Sequence, residues 1–189
     1  MENGSTLRVA GHVEPHGARR HAMPRTILTL LTAAALLAST HSTAAQGCRP
    51  VPGNTLEKFY PMMPGWTRGT PQSETDLSES VSRTTVDFDR KTETISVELM
   101  DSCRRAEVLQ LLRQTLKTLP PGTRGTVQRH TTVNGFAAYE EFTAESGHGE
   151  IHVLVADRFM IKVTAEGSTL PTLQNAAQQV PTAGIAALK

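Results

Sequence analysis

Three residues in the C-terminal third of the chain have side chains that bind metal ions or transfer protons. His148, Glu150 and His152 alternate within the stretch SGHGEIHVLV, residues 146–155. If this stretch is a strand, all three side chains point to the same face of a sheet. Imidazole and carboxylate groups are common zinc ligands, so the pattern raises the hypothesis of a metal site.

The spacing argues against an ion held by this strand alone. Residues two apart in a strand are separated by roughly 6.6 Å and residues four apart by roughly 13 Å, whereas zinc holds nitrogen ligands at about 2.0–2.1 Å. A site would need His130 or Glu141 from a neighbouring strand. We therefore predict that residues 148–152 form a turn and a strand, with no metal ligand, no cofactor and no assigned catalytic residue.

The N-terminus has the pattern of a secretory signal peptide. Arg19, Arg20 and Arg25 precede an apolar run, residues 27–38, and small residues follow it. The run is about 12 residues long, and a membrane-spanning helix needs roughly 20. We predict a signal peptide over residues 1–45 and one secreted domain over residues 46–189. The alternative is a buried helix or a membrane anchor.

The charge of the predicted domain excludes some partners. Of 19 basic and 18 acidic side chains, four and two precede residue 48, which leaves 15 and 16 and a net charge of −1. A near-neutral domain with mixed charges lacks the clustered positive charge that binds nucleic acid. We expect a periplasmic or secreted protein that is not an integral membrane protein.

Both cysteines, Cys48 and Cys103, follow the predicted leader. An even count in an oxidising compartment favours a disulfide between them. The first alternative is a lipid anchor on Cys48, but the sequence Ala45-Gln46-Gly47 before it departs from the usual lipoprotein pattern. The second alternative is a free thiol on Cys103, which the neighbouring Arg104 and Arg105 and a helix start would make reactive.

Hydrophobic periodicity predicts a β-hairpin followed by a helix. Apolar residues alternate over residues 83–101, and a turn near Lys91 would place Phe88 opposite Ile95. An apolar stripe at helical spacing predicts a helix over residues 104–118, with Asp101 or Ser102 as its cap. The stripe consists of Val108, Leu109, Leu112, Leu116 and Leu119.

The second half of the domain predicts four further strands, at residues 125–133, 136–144, 150–156 and 159–165. Asn134-Gly135 is a strong hairpin signal, and the other connections are short, so the strands form an antiparallel meander. A two-residue turn at Asp157-Arg158 would place His152 opposite Val163. A last helix begins at Ser168 or Thr169.

The remaining segments are a short helix near residues 55–60 and a polar, turn-rich stretch, residues 67–80, which predicts a mobile loop. The fold class is therefore α+β, an antiparallel sheet of about six strands with helices packed on it. This order of elements resembles the fold plan of the PsbP, Mog and DcrB proteins. It also resembles small secreted bacterial proteins that carry a Pro-Gly-Trp segment, here Pro64-Gly65-Trp66. No sequence motif shared with these proteins identifies a functional residue in this chain.

These observations lead to two functional hypotheses. The first is a non-enzymatic protein of the bacterial envelope that binds an envelope protein or a small apolar ligand on its sheet or through residues 67–80. The second is a secreted enzyme with a metal or thiol site. Its candidate residues are His130, His148, Glu150, His152 and Cys103.

Overall fold

The protein has an α+β fold built on an open antiparallel sheet. The structure, a computed structural model, describes residues 48–103 and 105–188, so the predicted signal peptide lies outside the described residues. The helices are α1 (Gly53–Leu56), α2 (Ala106–Thr115), α3 (Leu170–Gln178) and α4 (Thr182–Ala186), and a 3-10 turn, Glu57–Phe59, extends α1. The strands are β1 (Thr67–Arg68), β2 (Gln72–Asp76), β3 (Val81–Arg90), β4 (Glu93–Asp101), β5 (Thr126–Val133), β6 (Phe136–Thr143), β7 (His148–Val155) and β8 (Phe159–Glu166).

Within the described residues the sheet has eight strands, so it is larger than the predicted six. Its order is β1-β3-β4-β8-β7-β6-β5, and β2 pairs with β3 beside β1. The two additional strands, β1 and β2, fall in residues 67–80, where a mobile loop was expected. Alternation did not reveal β2 because its QSETD sequence is polar throughout, and most of it is exposed at the edge of the sheet.

The β3–β4 hairpin confirms the register predicted from the sequence. Phe88 lies opposite Ile95 and Val86 opposite Val97. All four side chains are buried on one face of the sheet. Lys91 adopts a positive φ of 57° in the connecting turn.

The meander of β5 to β8 is also confirmed, but the predicted register of its last hairpin is wrong. Val155 lies opposite Phe159 and His152 opposite Lys162, one residue away from the predicted alignment. The connection contains three residues, and Ala156 and Asp157 both have positive φ. Because side chains alternate across a strand, the one-residue shift places Val163, the predicted partner of His152, on the opposite face of the sheet.

Helices cover both faces of the sheet. The 3-10 turn, α1, α3 and α4 lie on the face formed by alternate residues of β3, β4, β7 and β8, and this layer contains the main core. The largest fully buried side chains include Phe159, Leu56, Ile95, Leu99 and Leu173. Helix α2 lies on the opposite face, where Leu109 and Leu112 of the predicted stripe are buried.

Helix α2 does not have the predicted cap. It begins after Arg105, which forms no side-chain capping bond. Asp101 is instead completely buried and pairs with Arg158, with Oδ2 2.6 Å from Nη2 and Oδ1 2.8 Å from Nε. Asp101 also accepts hydrogen bonds at 2.8 Å from the backbone N–H groups of Val51 and Cys103. The carboxylate therefore joins the N-terminal segment, the end of β4 and the β7–β8 turn.

A disulfide lies beside this ion pair. Cys48 and Cys103 are bonded, as predicted, with their Cα atoms 5.7 Å apart and a separation of 55 positions in sequence. The bonded sulfurs leave neither a free thiol on Cys103 nor a thiol on Cys48 for a lipid. Closing a loop of this length contributes about 4 kcal/mol in the chain-entropy model, as an upper value.

We expect Arg158→Met to destabilise the protein by about 3–5 kcal/mol, because it leaves the Asp101 carboxylate buried without its cation. The measurement is urea denaturation with the disulfide intact. The matched control is Arg83→Met, whose guanidinium lies 3.9 Å from the exposed Glu74, and we expect a loss of at most about 1 kcal/mol. Equal losses in the two variants would contradict the structural role of the buried pair.

Candidate functional site

A cleft of about 230 Å³ lies between helix α2 and the sheet. We call it the α2 cleft. The helix contributes Val108, Leu111, Leu112 and Thr115, and the sheet contributes Tyr139, Glu150, His152 and Met160. One wall is therefore mainly apolar, and the other carries the histidine and the glutamate that the sequence analysis singled out.

The register of the meander assembles the sheet side of the cleft. Tyr139 of β6 lies opposite His152 of β7, which lies opposite Lys162 of β8. The three side chains form one row on the face that α2 covers. The rings of Tyr139 and His152 are 6.2 Å apart between centroids and tilted by 44°.

Glu150 is the electrostatic centre of this row. One carboxylate oxygen accepts a hydrogen bond from His152 Nε2 at 2.8 Å, and the other lies 2.8 Å from the Lys162 ammonium. The hydrogen bond from His152 is the largest influence on the pKa of Glu150. Together with Lys162 it outweighs burial and lowers that pKa to about 2. Glu150 therefore remains ionised and positions both donors, the imidazole of His152 and the ammonium of Lys162.

Tyr139 is buried, and its hydroxyl donates a hydrogen bond to Glu141. Burial raises the pKa of Tyr139 far above its usual value, and the hydrogen bond to the Glu141 carboxylate raises it further. Gln128 donates to the same carboxylate oxygen at 2.9 Å. Tyr139 is therefore a neutral, fixed part of the cleft wall rather than a mobile acid.

The structure separates most of the residues considered for a metal site. His148 is exposed, and its Nδ1 donates to Glu166 at 2.8 Å. His130 donates from Nε2 to the backbone oxygen of Thr115, also at 2.8 Å. Only Glu150 and His152 lie together in the cleft. Among the described residues, no group of three or more His, Cys, Asp or Glu side chains is arranged to hold a metal ion.

Sequence reasoning missed the partners that complete the cleft. Tyr139, Met160 and Lys162 belong to strands that were predicted, but the predicted β7–β8 register placed His152 beside the wrong neighbours. Leu111 lies outside the apolar stripe assigned to α2, and it is 74% exposed beside the cleft. A leucine at a position off the stripe is the feature of the sequence that could have indicated an additional apolar surface on α2.

The fold and cleft define an α+β protein with an open antiparallel sheet and a small, partly apolar site beneath one helix. The chain matches no known family model, no curated protein and no solved structure. In the described part of the chain, no helix has the length and apolar character needed to cross a membrane.

Glu150 should make stability depend on pH. Its folded pKa of about 2 lies below the ordinary value of 4.5, so its contribution is complete above pH 4.5 and disappears as the pH falls to about 2. We expect Glu150→Gln to lower stability at pH 7 by on the order of 2 kcal/mol, after discounting for solvent screening. The difference from the parent protein should shrink over that pH range in urea denaturation. Glu166→Gln, which removes the exposed partner of His148, is the control and should have little effect; a pH-independent difference for Glu150→Gln would contradict the assignment.

We predict that residues 148–152 hold no zinc tightly. His148 and His152 donate to different carboxylates, and strand geometry keeps the two imidazoles apart. Isothermal titration of the purified protein with zinc should show no submicromolar site. One zinc per chain at that affinity, lost in His152→Ala, would refute the prediction.

Proposed function

We propose that the protein is a non-enzymatic, exported protein of the bacterial envelope that binds another protein through the α2 cleft. The observation that carries the proposal is the apolar wall of the cleft opposite the row of Glu150, His152 and Tyr139. The predicted leader and the Cys48–Cys103 bridge support an extracytoplasmic location. N-terminal sequencing of the exported protein tests cleavage before residue 46. We also propose that the fold is related to that of the PsbP, Mog and DcrB proteins, and the order of the helices and strands supports this relationship.

The size of the cleft favours a protein partner over a free ligand. Sites for drug-sized molecules usually have volumes of about 300–1,000 Å³, and the α2 cleft has about 230 Å³. That volume suits one large apolar side chain. Protein interfaces commonly depend on a few such anchors inserted into pockets.

The surroundings of the cleft also suit an interface. Leu111 leaves 74% of its surface exposed beside the cleft, and Met160 is partly buried in its wall. A partner that inserts an apolar side chain would also cover Leu111. Removing this surface from water stabilises a complex by roughly 25 cal/mol per Å² before the costs of association.

The second candidate function, a secreted enzyme, is favoured by one observation. Glu150 holds Nε2 of His152 at 2.8 Å, an arrangement in which a carboxylate orients a histidine for proton transfer. Two hydroxyl groups line the same cleft, those of Thr115 and Tyr139, and Tyr139 already donates to Glu141. A thiol enzyme has weaker support because Cys103 is bridged.

We expect short amides with apolar side chains to bind the cleft weakly. N-acetyl-phenylalaninamide and N-acetyl-leucinamide present the side chain that a partner would insert. Their dissociation constants should be on the order of millimolar, as is usual for ligands of this size. In ¹H–¹⁵N correlation spectra, the shifts that change should lie in α2, β7 and β8.

The discriminating variant is Val108→Trp, which fills the cleft and should abolish those shift changes. The matched control is Val127→Trp, the same substitution at an exposed valine on β5, away from the cleft. Shift changes scattered over the surface, or unaffected by Val108→Trp, would refute binding at the α2 cleft. Turnover of an ester or amide substrate that depends on His152 would favour the enzyme instead.

A further inference from the structure

The two edges of the open sheet differ in how they are protected against further pairing. One edge consists of β1 and β2, short strands of two and five residues separated by Gly69-Thr70-Pro71. Breaks, short strands and proline are common devices that prevent a sheet edge from pairing. The other edge is β5, an uninterrupted strand of eight residues without proline or glycine.

The backbone groups that β5 leaves unpaired follow from its hairpin. Asn134 and Gly135, with φ of 50° and 85°, form a two-residue turn between Val133 and Phe136. Hydrogen-bonded and non-bonded positions alternate along an antiparallel pair, so Val133 and every second residue before it bond to β6. The outward N–H and C=O groups therefore belong to Thr132, His130, Gln128 and Thr126. The N–H of Thr126 is already bonded to the backbone oxygen of Thr123 at 3.0 Å, so the available edge consists of Gln128, His130 and Thr132.

We propose that β5 pairs with β5 of a second copy of this chain, in antiparallel register with His130 opposite His130. The result is a symmetric dimer in which the two sheets form one continuous sheet. A two-fold axis perpendicular to the sheet keeps the faces aligned, so each residue can only pair with one on its own face. The possible registers therefore differ by shifts of two residues of one strand relative to the other.

The side chains select one register among these. With His130 at the centre, the outward backbone N–H and C=O groups of Gln128 in one copy pair with those of Thr132 in the other. Arg129 of one copy then lies opposite Thr131 of the other. Val127, which is 48% exposed, lies beside Val133 of the other copy. Shifting one chain by two residues toward its N-terminus would place Arg129 opposite Arg129, and like charges directly opposite one another are destabilising. Shifting it the other way places Arg129 opposite Val133.

The charge of Arg129 is already compensated within its own chain. Its Nε lies 2.6 Å from Oε1 of Glu140, whose carboxylate is 1% exposed and also accepts from Gln174 at 2.7 Å. This network holds the long side chain over β6 and leaves the backbone edge of β5 available. Dimer formation would require no rearrangement of the ion pair.

A single cysteine tests both the dimer and its register. In the proposed dimer the two His130 Cα atoms form a hydrogen-bonded pair about 5.5 Å apart, within the 4.4–6.8 Å range that disulfides span. His130→Cys should therefore form a covalent dimer on mild oxidation. Thr132→Cys should not, because its two copies are offset by about 13 Å along the strands. Peptide mapping under non-reducing conditions verifies that the Cys48–Cys103 bridge is retained.

Sedimentation velocity over a wide concentration range gives the second test. The parent protein should show a concentration-dependent dimer. His130→Lys, which places two ammonium groups opposite each other, should shift it at least tenfold toward monomer. His148→Lys, the same substitution at an exposed histidine on β7, should not. A monomer at every concentration, a dimer that persists in His130→Lys, or crosslinking at Thr132 but not at His130 would overturn the proposal.

Discussion

The buried pair of Asp101 and Arg158 is the interaction on which the arrangement of this protein depends. It joins segments that are far apart in sequence, because the same carboxylate also accepts from the backbone of Val51 and Cys103. Ser102 adds a side-chain hydrogen bond of 2.7 Å to the backbone oxygen of Arg158. A buried ion pair contributes little net stability compared with an apolar replacement, but it penalises any arrangement that separates its members. In this protein, a change in the β7–β8 connection would separate Arg158 from Asp101, so the ion pair disfavours such a change.

The ion pair of Asp101 and Arg158 also affects the α2 cleft, because it fixes the register between β7 and β8. Arg158 belongs to the three-residue connection between the two strands, and its buried guanidinium holds that connection in place. The resulting alignment places Lys162 beside His152 and lets Glu150 bond to both. The electrostatics of the cleft therefore depend on an ion pair on the other face of the sheet.

The two faces and two edges of the sheet have different roles. The face covered by α1, α3 and α4 contains the main core, and it is apolar along the central strands. The other face is polar except beneath α2, where the helix is separated from the sheet enough to leave the cleft. The edge at β2 is interrupted, while β5 is an uninterrupted strand whose outward backbone groups are free from Gln128 to Thr132. The proposed binding through the cleft and the proposed pairing through β5 use adjacent surfaces, because His130 of β5 donates to Thr115 at the cleft.

Much of the fold follows from the sequence because local rules determine it. The Asn134-Gly135 turn, the alternation of β3 and β4, and the Thr169 cap of α3 act over a few residues, and the structure confirms each. The even number of cysteines after the leader likewise indicated the Cys48–Cys103 bridge. Each of these features uses neighbouring residues or a count, and no knowledge of distant packing is needed.

The tertiary structure alone decided the remainder. Strand β2 forms because β3 offers it backbone partners, and its own polar sequence carries no alternation. Asp101 looked like a helix cap because nothing nearby in sequence indicates Arg158, 57 residues away. The partners of His152 changed with a single extra residue in one turn, since side chains alternate across a strand. Composition and spacing identified Glu150 and His152 as candidates, but only long-range packing placed them in a cleft with Tyr139 and Lys162.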